Sequence, residues 1–357
     1  MRSAILKLIR GLGRYAVLPA VAIALAVLAA WLIALDHNPR LALAISPVVL
    51  PFTTGAAFLA FGLLLPSRSK AIPGVEEAAA PGLWAMWKDL DRKSAGVQRT
   101  LMIDNNMNAS IGEQRQFMGL FGRRLTMTVG LPMLIVLDER AVRAVVAHEV
   151  GHAELQHTSG GTNLYEFILA AQNIFEYADP ETTITGRISA TLLNALLEWL
   201  QKEYLVLSRR NELEADRWAA ECVGRYELAR SRVLFAGMSA RIDEVVYTPL
   251  QKELLGAIRA PAPPLRRIIS QLETIRIPGP IEAAALALAS EEEDSNATHP
   301  SLRQSLANVG FTEVPKVDAP QTSAADALLS DQVLKNLVSR LDSQWTRKAA
   351  ESVDIFQ

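Results

Sequence analysis

Apolar residues are concentrated at the start of the chain. Residues 15–35, YAVLPAVAIALAVLAAWLIAL, carry no charge, and at about 1.5 Å per helical residue they can cross a hydrocarbon core about 30 Å thick. A second uncharged run covers residues 41–65. Pro47 and Pro51 near its start predict a kink or a late helix start, with residues 52–65 the cleaner helical part. The polar link at residues 36–40 suits a helical hairpin whose two ends lie on one side of a bilayer. The pattern therefore predicts membrane helices at about 15–35 and 43–65. A cleavable signal peptide competes for the first run, and a core hairpin of a soluble domain for the second.

Beyond residue 73 the pattern changes to that of a soluble, mainly helical domain. Residues 98–103 and 125–137 are rich in β-branched and apolar side chains around turn formers, which predicts a small sheet of short strands. Asp138 is a good N-cap for ERAVRAVVAHEVGHAEL, where apolar residues recur at helical spacing. Gly160 and Gly161 lie beyond the end of that helix. Further helices are predicted at 163–176, 187–206, 209–223 and 227–241. Leu328, Leu329, Val333, Leu334, Leu337, Val338, Leu341 and Trp345 form a late helical stripe read as packing. Residues 261–264, 278–280 and the acidic run 291–294 read as loops or linkers. The expected fold class is mainly α with a small β-sheet plus an N-terminal transmembrane helical hairpin. The expected organisation is an anchor over 1–70, a catalytic domain over 71–310 and a helical extension over 311–357 packed on that domain.

Composition supports the membrane reading, with 50% hydrophobic residues, 21% charged and a mean hydropathy of +0.16. Arg2, Lys7, Arg10 and Arg14 precede the first run, Arg40 sits in the link, and Arg68 and Lys70 follow the second. The positive-inside rule then places both termini, and everything after residue 70, in the cytoplasm. Lys plus Arg number 36 against 38 Asp plus Glu, a formal net charge of −2, so nothing suggests a nucleic-acid partner. The single cysteine, Cys222, excludes a thiolate cluster and an intramolecular disulfide, and its neighbours suggest a small packed residue.

The candidate chemistry lies in His148-Glu149-Val150-Gly151-His152. Residues four apart share a helix face, so both imidazoles can reach one metal ion while Glu149 stays free beside it. Zinc suits two imidazoles, one carboxylate and an open position, and lowers the pKa of its water so that Glu149 can take the proton. The ordinary alternative is two histidines hydrogen-bonded in a helical core. A metzincin would need Gly and His where this chain has Leu155 and Thr158. His157 turns away from the ligand face.

The third ligand is expected in Asn211-Glu212-Leu213-Glu214-Ala215-Asp216. Glu212, Asp216, Ala219 and Val223 share one helical face, and Glu214, Arg217 and Glu221 another that is wholly charged. An inward carboxylate is costly unless paired or metal-bound. That makes Glu212 the third ligand, Asp216 a partner for an imidazole N–H, and Glu214 a surface residue.

These motifs resemble those of the HtpX-like and CAAX-prenyl-endopeptidase-like membrane zinc metallopeptidases, which share HExGH on one helix and E-x-x-x-D on a later one. The resemblance implies a zincin-like, gluzincin-type domain with one zinc per chain held by His148, His152 and Glu212. It implies Glu149 as catalytic base and Asp216 as support for the first histidine. Asn108-Ala109 is similar to the family's Asn-Ala on the strand beside which substrate lies, and Gly130-Leu131-Pro132 also looks like the family. His299-Pro300 resembles the family's His-Pro, where His contacts the substrate carbonyl or transition state. The family's following Arg is replaced by Ser305, with Arg303 nearby. The resemblance implies an integral membrane protein of a bacterial-type inner membrane, with a cytoplasmic catalytic domain acting on unfolded or membrane-associated polypeptides. The competing readings are an inactive peptidase-fold scaffold and a dedicated processing protease.

Overall fold

The computed structural model describes residues 2–64, 74–91, 96–116, 121–155, 163–165, 167–169, 172, 184–255, 257, 259–291 and 297–355. Arg68, Lys70, His157, Gly160, Gly161 and residues 292–294 of the acidic run fall outside them. Among the described residues the protein is mainly helical with one three-stranded sheet. It divides into two compact units. One comprises residues 1–70 and 156–209, the other residues 71–155 and 210–357. Residues 156–209 thus group with the N-terminal segment, where the sequence pattern had joined them to the domain over 71–310.

In the first unit, helix α1 (Arg2–Leu12) leads through a 3-10 turn at Gly13–Val17 into α2 (Leu18–His37), and α3 (Pro39–Leu64) packs back on α2. Only Asn38 interrupts the helices, and its side-chain oxygen accepts from Leu41 N at 3.3 Å. The late start expected at the prolines is not seen. Pro39 opens the helix, where its missing N–H costs nothing, and α3 continues through Pro47 and Pro51. Nearby hydroxyls cap carbonyls along the helix, with Ser46 Oγ donating to Ala42 O and Thr54 Oγ1 to Leu50 O, both at 2.7 Å. Trp31 Nε1 crosses the hairpin to Ala42 O and Ser46 Oγ, each at 3.1 Å.

Segments Tyr15–His37 and Pro39–Ala57 are each long and apolar enough to cross a membrane. Most of their large side chains, such as Ile23, Leu25, Ile33, Leu43 and Val48, face outward. A separate small core joins Ile9, Ala16 and Val17 to Leu164, Phe167, Ile168, Leu197 and Leu200.

The second unit begins with α4 (Pro81–Leu90) and a sheet of β1 (Gln98–Asp104), β2 (Ala109–Gln116) and β3 (Phe121–Gly130). The strand order is β1-β3-β2, with β1 parallel and β2 antiparallel to β3. The apolar run at 125–137 is not one strand, because β3 ends at Gly130 and α5 (Leu131–Val136) follows. Every residue of α5 is buried, and a run apolar on all sides has no period to separate helix from strand. Gly130 is obligatory at this junction, since a Cβ there would lie 1.6 Å from the Asn106 carbonyl oxygen.

Helix α6 (Glu139–Glu154) carries the HEVGH motif and packs on β2. A single helix, α7 (Ile184–Val223), replaces the two predicted at 187–206 and 209–223. Its one glycine, Gly186, lies in the first turn, and no Gly or Pro follows between residues 187 and 223 to break the ladder. Then come α8 (Arg225–Ile242), α9 (Thr248–Leu254), α10 (Pro264–Ser270), α11 (Leu272–Ile275) and α12 (Pro278–Ser290). The prolines at 278–280, read as a linker, instead open α12, where helices accept proline. The chain continues through α13 (Leu302–Asn308), α14 (Ala324–Leu328) and α15 (Asp331–Ile355). Leu328, Leu329, Leu337 and Leu341 are buried in the same core as the sheet, α6 and α8.

The motif helix is anchored at its first turn. Asp138 caps α6, its Oδ1 accepting from Ala141 N at 2.9 Å, and its other oxygen lies 2.5 Å from Nη2 of Arg230 on α8. Arg230 also donates to Asp318 O at 3.2 Å, and Ser231 Oγ to Ala141 O at 2.8 Å. The Arg230 side chain is 2% exposed, and removing one partner from such a buried pair costs about 3–5 kcal/mol. Cys222, expected to be packed, is exposed. It lies on α7 between the inward positions 219 and 223.

Candidate metal centre

Gly151 of α6 lies against the backbone of α7 at Ala215. A Cβ at this position would lie 3.2 Å from Trp218 Cε3, 3.3 Å from the Ala215 carbonyl oxygen and 3.4 Å from Ala215 Cα. The first two are tighter than most packed side chains make, so a side chain here would push the helices apart by a few tenths of an ångström, and two of the three contacts are to backbone, which cannot swing aside. The glycine of HEVGH therefore lets one helix lie against the backbone of the other. Glu212, one turn before Asp216, is thereby set opposite the two imidazoles.

The donor atoms converge. His148 Nε2 and His152 Nε2 are 3.2 Å apart, Glu212 Oε2 is 3.3 Å from the first and Glu212 Oε1 is 3.3 Å from the second. His148 and Glu212 are buried, and His152 is partly so. A tetrahedral zinc site with bonds of about 2.0–2.1 Å has donors about 3.3–3.4 Å apart. Two imidazole lone pairs facing a carboxylate at these distances call for a cation among them, either a proton or a metal ion. The donor set of two ring nitrogens and a carboxylate is one that zinc takes. Among the described residues, this is the group of His, Cys, Asp and Glu able to hold a metal ion.

Asp216, 1% exposed, places Oδ1 2.9 Å from His148 Nδ1. With the Nδ1 proton engaged by this carboxylate, Nε2 faces the donor set as a bare nitrogen. Glu149 follows His148 on α6, is half-buried, and its charge acts on His148, Arg232 and His299. Glu214 turns outward to Arg210 Nε at 2.8 Å, as its helical face predicts.

The remaining sequence candidates divide. His299 comes to the centre, its Nδ1 3.1 Å from Glu212 Oε2. The segment is held from both ends of α13. Ser301 and Gln304 form a capping box at its start, and Asn308 Nδ2 donates to Leu213 O at 2.7 Å near its end. Ser305 is buried within α13. Asn108 is exposed just before β2, and its carbonyl accepts from Gly130 N at 2.7 Å. Arg303 lines a different groove of about 400 Å³ with Leu286, Leu306, Phe311 and Glu313, whose walls do not include the three donors.

Sequence reasoning missed Arg232 on α8. Its guanidinium pairs with Asp216 Oδ1 and lies 2.8 Å from His148 Nδ1. The only signal was a cation within the apolar stretch Val233-Leu234-Phe235, and no spacing rule links it to position 148.

The charges are strongly coupled. Burial opposes ionisation of Glu212, yet hydrogen bonds from His148, His152 and His299 outweigh it and hold the carboxyl far below its usual range. For Asp216 burial is likewise outweighed, by the Arg232 charge and the His148 hydrogen bond. Burial and Arg232 disfavour the His148 imidazolium, but Asp216 and Glu212 prevail and raise its pKa above the ordinary 6.5.

The chain belongs to Peptidase family M48, a metallopeptidase family, whose model matches residues 89–309 and so more than half of the sequence. The resemblance drawn from the HEVGH and Glu212–Asp216 motifs therefore holds. The crystal structure of S. mikatae Ste24p is similar at a TM-score of 0.33 and 15% identity, over 82% of this chain. This chain spans 64% of the length of that one. None of the curated proteins matches it in sequence.

A raised His148 pKa fixes the sign of a pH effect. Without metal, His148 is protonated over a range that extends above pH 6.5, and a metal ion must expel that proton to bind. Zinc affinity, measured by chelator competition between pH ~8 and ~6, is expected to fall as the pH falls, with the decline starting above 6.5. An affinity constant over that range would contradict this donor assignment.

Proposed function

We propose that this protein is a membrane-anchored zinc metalloendopeptidase that hydrolyses peptide bonds of unfolded or membrane-associated polypeptides. The observation that carries the reading is the convergence of His148, His152 and Glu212 at 3.2–3.3 Å with the half-buried Glu149 on the adjoining position of the same helix. When bound there, zinc supplies a Lewis acid and a water molecule acidified toward neutrality.

The chain's own groups do the rest. Glu149 takes a proton on a carboxylate oxygen and returns it to the departing amine. Asp216 keeps the proton on His148 Nδ1. To His299, with 74% of its side chain exposed beside Glu212, we assign donation to a substrate carbonyl oxygen. Strand β2 is at the edge of the sheet and packs on α6. As an edge strand it can take an extended polypeptide along its outer side, with Asn108 at its start. Arg303 acts outside the donor set. Removal of damaged membrane proteins is the role we assign to such an enzyme.

Basic residues before α2 and after α3 support a cytoplasmic catalytic domain in a bacterial-type inner membrane. Reporters fused after residue 70 and within residues 36–40 are expected on the cytoplasmic and external sides respectively. Two reporters on one side would refute the hairpin.

The enzymatic reading is tested by Glu149→Gln, which removes the proton acceptor but none of the donors. Zinc content should match the wild type while cleavage of an unfolded polypeptide falls by about a hundred- to ten-thousand-fold. Equal cleavage by the two proteins would assign the base elsewhere. A zinc-loaded wild type without activity on a broad substrate panel would favour a scaffold.

A further inference from the structure

Arg232 belongs to none of the sequence motifs, yet one of its guanidinium nitrogens, Nη2, lies against both His148 and Asp216. Nη2 pairs with Asp216 Oδ1 and is 2.8 Å from His148 Nδ1 and 3.2 Å from His148 Nε2. Both ring nitrogens are bonded to Cε1, so an atom this close to both in the ring plane would collide with that carbon. Nη2 therefore lies over the face of the imidazole. From there it makes no in-plane hydrogen bond to either ring nitrogen. Nδ1–H is left to Asp216, at 2.9 Å, and Nε2 to the donor set.

Asp216 itself is weakly held in every other respect. Its side chain is 1% exposed, and its second oxygen, Oδ2, has no hydrogen-bond partner among the described residues. Oδ1 thus carries both contacts. Without Arg232 the carboxylate would be held by His148 alone, free to rotate about Cβ–Cγ and to exchange its oxygens. A planar guanidinium can grip a carboxylate and cover a flat ring at once, which an ammonium cannot do as fully.

We propose that Arg232 is a positioning residue of the metal centre, clamping the Asp216 carboxylate and the His148 ring together so that Asp216 keeps the Nδ1 proton and Nε2 stays a bare donor. The proposal rests on the reading of His148 as a zinc ligand. It differs in sign from simple charge compensation. A cation that merely offset Asp216 would repel a dication, and its removal would tighten zinc binding.

The test measures zinc affinity by chelator competition on the detergent-solubilised full chain, in wild type, Arg232→Gln, Arg232→Lys, Asp216→Ala and the Asp216→Ala/Arg232→Gln double variant. Arg232→Gln should bind zinc about 10–100-fold more weakly, the usual effect of losing a group that orients a ligand. Arg232→Lys, which still pairs with Asp216 but cannot also cover the His148 ring, should fall between wild type and Arg232→Gln. Once Asp216 is absent, Arg232→Gln should cause no further loss, because the clamp acts through that carboxylate. Unchanged or tighter binding by Arg232→Gln would overturn the proposal, as would an equal loss in the Asp216→Ala background. Should Arg232→Gln fail to fold, a loss in Arg232→Lys as large as that in Asp216→Ala would overturn it instead. Failure of the wild type to bind zinc would overturn the metal centre itself, an outcome distinct from any difference among the variants.

Discussion

How closely two helices approach decides whether this protein has a metal centre. The donors of His148 and His152 on α6 meet those of Glu212 on α7 at 3.2–3.3 Å, and functional constellations tolerate errors of only about 0.5 Å. That spacing depends on Gly151, where a side chain would press on the Ala215 backbone and the Trp218 ring. The surrounding contacts hold both helices in place. Asp138, Arg230 and Ser231 fasten the first turn of α6 to α8, and Asn308 fastens α7 just after Glu212. The core of sheet and helices beneath them supplies the rigid support.

Close approach also concentrates charge. Two buried carboxylates, Glu212 and Asp216, lie within hydrogen-bond reach of one imidazole, and isolated buried carboxylates are strongly disfavoured. Arg232 answers one of them. The other faces two ring nitrogens and His299, an arrangement satisfied by protons in the metal-free chain and by a divalent cation otherwise. The same local excess of negative charge that makes the centre costly to fold is what gives a metal ion its binding free energy.

Much of the donor set was legible because helical spacing converts directly into a shared face. His148 and His152 are four residues apart, as are Glu212 and Asp216, and Glu214 falls on the opposite side. Asp138 was legible as a cap for the same local reason. What could not be read was non-local or without a period. Arg232 reaches His148 across a separation of 84 residues, and the Asp138–Arg230 pair spans a similar distance. Strand β2, ASIGEQRQ, lacks the β-branched run that marks a strand, and forms because β3 lies alongside it. The wholly apolar α5 resembled a buried strand. Pro47 and Pro51 argued for a kink or a late start in the second apolar run, yet α3 begins at Pro39 and runs through both.

The coordination of zinc in the purified full chain tests the central claim most directly. X-ray absorption at the zinc edge should show two imidazole nitrogens and oxygen ligands at about 2.0–2.2 Å and no sulfur. The carboxylate contribution should be altered in Glu212→Ala and preserved in Glu214→Ala. A zinc–sulfur shell at about 2.3 Å, which would implicate Cys222, or a spectrum unchanged by Glu212→Ala, would contradict the donor set on which the account depends.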